Sequence, residues 1–292
     1  MVPAMSRLSA TTRLIALLGS PVSHSRSPLM QNGVFEYMGL NYAYLAFDIQ
    51  PPQLADAIAG VRAMNIRGCN VTMPLKRDVC QFLDHLTPAA ELAGAVNVIV
   101  NDHGVLTGHI SDGEGYMMSL CDAGVDYVGK KITLAGTGGA ATAVAIQAAM
   151  EGVRCIRLFN HRDGFFEQGQ TLARLLCERF DCDASLHDLA DLDSLKAEMA
   201  NSDLFINGTP VGMEHSLHQS VIPDASYFHP QLVVSDLIYV PARTRLLRMA
   251  EAASLKTVSG LGMQLFQATS AFRMWTGYDM PVDVARRCLL AS

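Results

Sequence analysis

The chain has 292 residues, with 22 basic and 28 acidic side chains and a formal net charge of −6; half of its residues are hydrophobic and 17% are charged. Intrinsic disorder is excluded, because a chain this apolar can bury enough side-chain area to offset the entropy lost on folding. The negative charge disfavours nucleic acid and anionic membranes as partners, since both bind basic surfaces.

The N-terminal segment and the cysteines both indicate a cytoplasmic protein. The apolar run at 14–18 ends at Gly19, far short of the roughly 20 residues that span a bilayer. It is also too short for the apolar core of a secretion signal, although Arg7 and Arg13 precede it. Seven cysteines, an odd number without a Cys-x-x-Cys pair, are typical of reduced thiols that pack as small core residues.

The first half of the chain alternates short apolar runs with amphipathic stretches. Strands are predicted at 14–18, 42–47, 67–71, 96–100 and 105–109, and helices at 28–38 and 52–64. Ser27 is a suitable N-cap for the first helix, with Pro28 in its first turn. This alternation is typical of an α/β domain with a largely parallel sheet.

The alternation begins again after Gly129 and then becomes helical. Strands are predicted at 131–135, 154–159, 204–206 and 232–235, and helices at 140–150, 165–180, 244–253, 261–275 and 282–290. The first strand, helix and strand of this series form a βαβ unit of about 30 residues, the size of one nucleotide-binding half.

The pattern predicts two α/β domains. Residues 1–118 are expected to form a substrate-binding domain and residues 119–240 a Rossmann-type dinucleotide-binding domain, with the helices of 241–292 returning to the first domain. Small ligands usually bind in the cleft between two such domains. The expected partner is therefore a small-molecule substrate, and the sequence gives no indication of the oligomeric state.

A glycine-rich turn follows the predicted strand at 131–135. Gly136, Gly138 and Gly139 would let the backbone turn tightly and approach a pyrophosphate. Ala140 then opens a helix whose N-terminus would stabilise the phosphate charge. Glycines also form ordinary turns, but the strand before and the helix after favour a dinucleotide site here.

The end of the next predicted strand bears on the choice between NAD and NADP. Asn160 is followed by His161, Arg162 and Asp163. A carboxylate would accept hydrogen bonds from the ribose hydroxyls of NAD, whereas an arginine would pair with the 2′-phosphate of NADP. Either charge could equally be a solvated loop residue, because Asp163 lies a few residues beyond the usual position. The sequence leans towards NAD and leaves NADP open.

Several further motifs occur in a recognisable order and spacing. They are Ser-His-Ser-Arg-Ser-Pro at 23–28, Asn-Val-Thr-Met-Pro-Leu-Lys at 70–76, Gly-Ala-Val-Asn at 94–97, Ser-Asp-Gly-Glu-Gly at 111–115, Asn-Gly-Thr-Pro-Val-Gly-Met at 207–213, and Gly-Leu-Gly-Met at 260–263 followed by Gln267. With these motifs and the glycine-rich turn, the chain resembles the shikimate dehydrogenase family along nearly its whole length. The string at 160–166 is more similar to the quinate/shikimate dehydrogenase branch, which accepts NAD, than to the NADP-dependent biosynthetic branch.

The resemblance implies hydride transfer between a nicotinamide cofactor and a shikimate-like or quinate-like cyclic hydroxy acid. Such a reaction needs an acid to protonate the forming alkoxide and a base to remove that proton in reverse. By family match Lys76 is this acid and base, and Asp112 is its carboxylate partner. Without the family, Lys76 would be a surface lysine at a helix start and Asp112 a helix N-cap.

The same match implies a set of polar contacts to the substrate. Ser25 and Ser27 would bind its carboxylate, and its hydroxyls would be bound by Thr72, Asn97 and Gln267. Tyr239 would line the cleft, and the cofactor would lie beside Thr209 and Gly260. Structural alternatives stay open for several of them: a helix cap for Ser27, a turn residue for Asn97, an exposed helix position for Gln267 and a core tyrosine for Tyr239.

Two positions depart from the family pattern. Ile110 stands where the family usually has asparagine, and Val98 stands where it usually has threonine. Loss of the amide would leave a substrate hydroxyl without a partner, so the preferred hydroxy acid stays open. Two alternatives follow: an enzyme acting on another hydroxy acid, and a relative that senses a ligand without turnover. The presence of both Lys76 and Asp112 disfavours the ligand-sensing alternative, because a sensor needs no acid or base.

No metal site is predicted. The histidine pairs at 103 and 109 and at 215 and 218 lack further ligands at matched positions. We interpret these four histidines as solvated or structural.

Overall fold

The computed structural model describes residues 8–290. Its strands are β1 (Arg13–Gly19), β2 (Tyr42–Asp48), β3 (Gly68–Val71), β4 (His85–Leu86), β5 (Val98–Asp102), β6 (Val105–His109), β7 (Lys131–Ala135), β8 (Cys155–Asn160), β9 (Asp183–Asp188), β10 (Leu204–Asn207), β11 (Val233–Asp236) and β12 (Thr257–Val258). Its α-helices are α1 (Ser27–Met38), α2 (Leu54–Ala63), α3 (Pro88–Ala93), α4 (Asp112–Asp122), α5 (Gly139–Met150), α6 (Phe166–Arg179), α7 (Leu192–Met199), α8 (Arg245–Ala252), α9 (Gly260–Thr276) and α10 (Val282–Leu290).

The chain forms two compact units, each containing one six-stranded sheet. The first unit ends at Ser111 and resumes at Gln267, and the second is Asp112–Phe266. These boundaries differ from the expected 118 and 240. The reason is that β12 pairs in parallel with β11 and α4 packs against α5, so both α4 and the segment at 241–266 belong to the second unit.

The sheet of the first unit has the strand order β2-β1-β3-β5-β6-β4. β1 pairs in parallel with β2 and β3, whereas β5 runs antiparallel to both β3 and β6. The β5–β6 hairpin turns at His103 and Gly104, which have φ of 56° and 94°, as favoured hairpin turns require. A largely parallel sheet was expected, but this sheet is mixed, because β5 runs opposite to both of its neighbours.

The sheet of the second unit is parallel throughout, in the order β12-β11-β10-β7-β8-β9. The chain winds from β7 to β9 on one side and from β10 to β12 on the other. This confirms the expected Rossmann-type fold. In such sheets ligands bind beyond the carboxyl ends of the strands, at the point where the winding reverses, which here lies between β7 and β10.

Residues 8–290 contain no membrane-spanning helix, no metal-binding cluster and no disulfide. Within residues 8–290, no helix is both long enough and apolar enough to cross a membrane. The same residues contain no group of three or more metal-binding side chains. All seven cysteines are free thiols, and burial raises the pKa of Cys69 to about 12, so this thiol stays protonated and packs as a small apolar residue.

Candidate active site

Ser25 and Ser27 lie where the chain passes from β1 into α1. The predicted N-cap role of Ser27 is wrong: α1 begins at Ser27 itself, and Arg26 occupies the N-cap position without a side-chain cap. The Ser27 backbone N–H donates to Ser25 Oγ at 3.3 Å, and the Ser27 side chain hydrogen-bonds Tyr44. Both serines are only half-buried, so their hydroxyls are placed together at the surface of the first unit.

A buried tyrosine links this serine pair to the centre of the sheet. Tyr44 has no exposed surface, and burial raises the pKa of its hydroxyl, which therefore stays a donor at neutral pH. It donates to Asn70 Oδ1 at 2.7 Å, and Asn70 Nδ2 donates to the Asn97 carbonyl at 3.0 Å. Sequence reasoning missed Tyr44, because nothing in its local pattern distinguishes it from a strand residue of the core.

Asn97 and Gln267 meet, together with Ser111. Asn97 Nδ2 donates to Gln267 Oε1 at 3.0 Å, and Asn97 Oδ1 accepts from the Ser111 backbone N–H at 2.8 Å. Ser111 Oγ also donates to the Gln267 carbonyl at 3.3 Å. Asn97 is buried and Gln267 half-buried, so the exposed helix position considered for Gln267 is excluded.

Thr72 and Lys76 follow β3 in an irregular segment. The Thr72 N–H donates to the Leu18 carbonyl at 2.9 Å, and the Lys76 carbonyl accepts from the Val96 N–H at 2.8 Å. Lys76 is half-buried and precedes the short 3-10 helix that begins at Asp78. Its backbone is thus anchored to the residue immediately before Asn97.

Asp112 is the first residue of α4 and is 3% exposed. A carboxylate in the first turn of a helix is stabilised by the helix dipole. The next residue, Gly113, lies so close to α5 that an added Cβ would be 2.4 Å from the Ala143 carbonyl oxygen. Glycine at this position therefore lets the first turn of α4, which carries Asp112, pack directly against α5.

The glycine-rich turn has the predicted strand–turn–helix form. Gly136 has φ of +98°, and a Cβ there would lie 2.8 Å from the Gly208 carbonyl carbon, so only glycine fits. Gly138 is the N-cap of α5, without a side-chain cap. A Cβ on Gly138 or Gly139 would meet no atom within 4 Å. Open space over an uncapped helix N-terminus, with Ala140 completing the first turn, fits the phosphate groups of a dinucleotide.

The loop after β8 is held by Asp163. Asp163 Oδ1 accepts from Asn160 Nδ2 at 2.9 Å and from the Phe165 N–H at 2.8 Å. Arg162 instead forms an ion pair with Asp188, at 2.8 Å between Nε and Oδ2, and lies over the Phe166 ring. One carboxylate oxygen of Asp163 thus stabilises the turn, and the positive charge of Arg162 is paired with Asp188.

Thr209 follows β10, Tyr239 follows β11 and Gly260 follows β12, each in the segment beyond the carboxyl end of its strand. Thr209 Oγ1 donates to Asn207 Oδ1 at 2.7 Å. A Cβ on Gly260 would lie 2.3 Å from the Leu237 carbonyl oxygen, so this close approach requires glycine. Tyr239 is 42% exposed, which excludes the core tyrosine considered as its alternative.

Sequence reasoning did not assign Asp236 to the site, although it is the acidic last residue of a short strand that begins with two valines. It has no exposed surface, and burial raises its pKa to about 6. Its carboxylate accepts from Asn207 Nδ2, the Ile238 N–H and Thr244 Oγ1. An acidic residue at the end of a buried strand was the available signal.

Comparisons with known proteins give consistent matches. Residues 17–99 match the family model described as the shikimate dehydrogenase substrate binding domain. A protein of Listeria monocytogenes serotype 4b (strain F2365) named shikimate dehydrogenase (NADP(+)) is 47% identical over 283 residues, which cover 97% of each chain.

Two solved structures are similar over nearly the whole chain. Shikimate 5-dehydrogenase from Listeria monocytogenes, in complex with shikimate and NAD, is 47% identical with a TM-score of 0.95 and covers 97% of this chain and 98% of its own. Quinate dehydrogenase from Corynebacterium glutamicum, in complex with NAD, is 26% identical with a TM-score of 0.87 and covers 96% and 99%.

Proposed function

Because the chain belongs to the shikimate dehydrogenase family, and is thus an oxidoreductase that acts on a CH–OH group with a nicotinamide cofactor, we propose that it interconverts shikimate or quinate with the corresponding 3-dehydro ketone. The observation that carries the proposal is the anchoring of Lys76 to the residue before Asn97. It brings the lysine into the neighbourhood of the amides of Asn97 and Gln267, which suit a polyol.

Each predicted substrate contact of the first unit then has a defined role. Ser25 and Ser27 bind the substrate carboxylate, and Thr72, Asn97 and Gln267 bind its ring hydroxyls. Hydroxyl and amide groups both donate and accept hydrogen bonds, as the hydroxyls of a polyol require. Tyr44 and Asn70 connect the two groups by hydrogen bonds, so the spacing between carboxylate and hydroxyl contacts is built into the sheet.

Lys76 handles the proton. In reduction its ammonium protonates the carbonyl oxygen as the carbon accepts hydride, and in oxidation its amine removes the hydroxyl proton. The bound nicotinamide supplies or accepts the hydride. Asp112, in the first turn of α4, is the carboxylate that stabilises the ammonium form of Lys76.

The second unit would hold the cofactor. The N-terminus of α5, opened by Gly138, Gly139 and Ala140, would bind the pyrophosphate, and Gly136 allows the turn. Asn160 holds the loop that carries the ribose contacts, Thr209 flanks the site from the loop after β10, and Gly260 flanks it from the start of α9. We infer that both NAD and NADP are used and that NAD is preferred, because Asp163 repels a 2′-phosphate and Arg162 is paired with Asp188.

The proposed function is tested by steady-state assays of the purified chain with NAD and NADP, each with shikimate, quinate and an acyclic 2-hydroxy acid. We expect reduction of both cofactors with at least one cyclic substrate and none with the acyclic acid. Turnover of the acyclic acid alone would favour the other-substrate alternative. Tight cofactor and shikimate binding without turnover would favour the ligand-sensing alternative.

Cofactor preference is tested by Asp163→Asn. The amide keeps an oxygen for Asn160 and Phe165 but removes the charge, so the ratio of kcat/KM values should shift towards NADP by about tenfold. Asp224→Asn is the matched control, because Asp224 is an exposed aspartate of the same unit that also accepts from a backbone N–H in a turn. An equal ratio in wild type and Asp163→Asn would place Asp163 away from the ribose.

A further inference from the structure

Asp236 ends β11 as a fully buried carboxylate. Among residues 8–290 it has no ion pair with a cationic side chain. A buried charge without a cation is costly even when it is hydrogen-bonded. Packing alone does not account for such a residue, because an apolar side chain would fill the same space at lower cost. The role of Asp236 is therefore to be found in the three groups that donate hydrogen bonds to it.

The first partner of Asp236 is Asn207, which shapes the loop after β10. Asn207 Nδ2 donates to Asp236 Oδ1 at 3.1 Å and to the Val211 carbonyl at 3.1 Å. Asn207 Oδ1 accepts from both N–H and Oγ1 of Thr209, at 3.1 and 2.7 Å. A carboxylate can only accept hydrogen bonds. Asp236 thus requires the NH₂ of Asn207 to face it, which turns the amide oxygen towards Thr209.

The second partner is the backbone after β11. The Ile238 N–H donates to Asp236 Oδ1 at 3.0 Å, which closes the turn that follows the strand. The Ile238 carbonyl accepts from the Gly260 N–H at 3.3 Å, and Leu237 touches Gly260 so closely that no Cβ fits there. The position of Gly260 at the start of α9 therefore depends on the turn that Asp236 closes.

The third partner is Thr244, at the N-cap of α8. Its hydroxyl donates to Asp236 Oδ2 at 2.7 Å and accepts from the Leu247 N–H at 3.3 Å. Thr244 is 1% exposed, so water does not compete for these bonds. One carboxylate thus joins the loop after β10, the turn after β11 and the first turn of α8.

We propose that Asp236 is a positioning residue for cofactor binding: by orienting Asn207 and closing the turn at Ile238, it holds Thr209 and Gly260 where the cofactor requires them. The inference rests on the proposed function, in which Thr209 and Gly260 contact the nicotinamide cofactor. Asp236 itself touches neither cofactor nor substrate. Its effect is therefore expected on cofactor affinity, with the binding of hydroxy acid much less affected.

The test uses Asp236→Asn, which keeps the shape but replaces one acceptor oxygen by an NH₂ group, so that the donors of Asn207, Ile238 and Thr244 can no longer all be accepted. We expect the dissociation constants of NAD and NADP, measured by direct titration, to rise about tenfold. The KM for hydroxy acid at saturating cofactor should change less than about threefold. Hydrogen exchange at the Thr209 and Val211 amides should accelerate. The Thr209 N–H donates to Asn207 Oδ1, and the Val211 N–H donates to Thr209 Oγ1, which Asn207 Oδ1 holds in place.

A threonine series separates positioning from loss of stability. Thr244→Val removes the hydroxyl next to Asp236 and should weaken cofactor binding, whereas Thr244→Ser keeps the hydroxyl and should restore it. The matched control is Thr133→Val in β7 of the same sheet, where a buried threonine hydroxyl is paired with Ser202 Oγ at 2.6 Å. Thr133→Val should lower the melting temperature without changing cofactor affinity.

The outcomes distinguish the inference from the proposed function. If wild type binds the cofactors and both Asp236→Asn and Thr244→Val bind them no more weakly than Thr133→Val, the positioning role is overturned while the enzyme assignment stands. If Asp236→Asn does not fold, the comparison of Thr244→Val with Thr244→Ser decides alone. Failure of the wild type to bind either cofactor would contradict the proposed function, and the inference with it.

Discussion

Two proposed substrate-site residues, Lys76 and Ser27, are held in position by hydrogen bonds of their own backbone. Lys76 is not in a helix or strand, yet its carbonyl accepts from the Val96 N–H, so its position follows that of the β-sheet core. Ser27 begins α1 without acting as its cap, which leaves its hydroxyl for Tyr44 and for ligand. In both residues a backbone hydrogen bond fixes the position of the main chain, and the side chain can then contact the substrate.

Replacing Lys76 by alanine should lower turnover by about 10²- to 10⁴-fold, the usual contribution of a positioned acid or base. Cofactor affinity should be unchanged, because Lys76 contributes to proton transfer and to no cofactor contact. Steady-state rates and cofactor titration measure the two effects. Arg77→Ala is the matched control, since it removes an exposed positive charge from the adjacent position. Wild-type turnover in Lys76→Ala would contradict the acid-base role.

Ile110 determines which polyol is preferred if it faces the substrate. It is 9% exposed and directly follows β6, a position next to the Ser111 and Asn97 contacts. Ile110→Asn should then raise kcat/KM for shikimate about tenfold, mainly through a lower KM, because the amide restores a hydrogen bond to a hydroxyl.

The control for Ile110→Asn is Leu106→Asn, which buries the same amide in the core of β6. Leu106→Asn should lower the melting temperature with no gain for shikimate. If Ile110→Asn behaves in the same way, Ile110 is a core residue and the substrate preference has another origin.

At the scale of the element, the turn between β7 and α5 contains glycines that are needed for two different reasons, one in the fold and one in ligand binding. At Gly136 the backbone has positive φ and touches Gly208, so the need for glycine is internal to the fold. At Gly138 φ is −70° and the space above is open, so the fold itself tolerates a side chain. A need for glycine at Gly138 would come from the ligand.

The two glycines therefore predict opposite results. Gly138→Ala should leave the melting temperature unchanged within about 2 °C and weaken binding of NAD and NADP, since its methyl group would occupy the space for the pyrophosphate. Gly136→Ala should destabilise the protein by about 1–3 kcal/mol. Thermal unfolding and cofactor titration of both variants provide the comparison. Full cofactor affinity in Gly138→Ala would argue against phosphate binding at this turn.

At the scale of the whole molecule, stability should depend on pH through Asp236. Burial raises its pKa from 3.8 to about 6, so the folded protein holds this proton more tightly than the unfolded chain. Its contribution is fully present below the unfolded value of 3.8 and is lost as pH rises through about 6. Exposed Asp84 and half-buried Asp188 have lowered pKa values, from hydrogen bonds with Arg62 and the Ala190 N–H respectively, and act in the opposite direction at lower pH.

The free energy of unfolding should therefore fall by about 2 kcal/mol between about pH 4.5 and about pH 7.5 through Asp236 alone. Denaturant unfolding of wild type and Asp236→Asn across this range isolates the effect, because only the wild type carries the titrating group. Staying above about pH 4.5 limits the contribution of the exposed carboxylates. Equal pH slopes in the two proteins would show that Asp236 does not titrate as described.

The local sequence pattern was sufficient to predict those helices and strands that are specified by their own residues. The apolar strand at 131–135, the glycines after it and the alanine-rich helix specify a βαβ unit without help from distant residues, and the structure has this unit. Edge strand β9 and helix α7 went unpredicted, because β9 is only partly buried and α7 is short. Their hydrophobic periodicity is correspondingly weak.

The sequence by itself determined the fold class, the glycine-rich turn and, through motifs in a familiar order, the family and its class of reaction. Only the tertiary structure decided the domain boundaries, the mixed first sheet and the partners of individual side chains. Asn97 and Gln267 are 170 positions apart and yet share a hydrogen bond. Asp236 reaches Asn207 and Thr244 only because β10 and β11 are neighbours. Such contacts depend on packing between remote segments, and no local spacing encodes them.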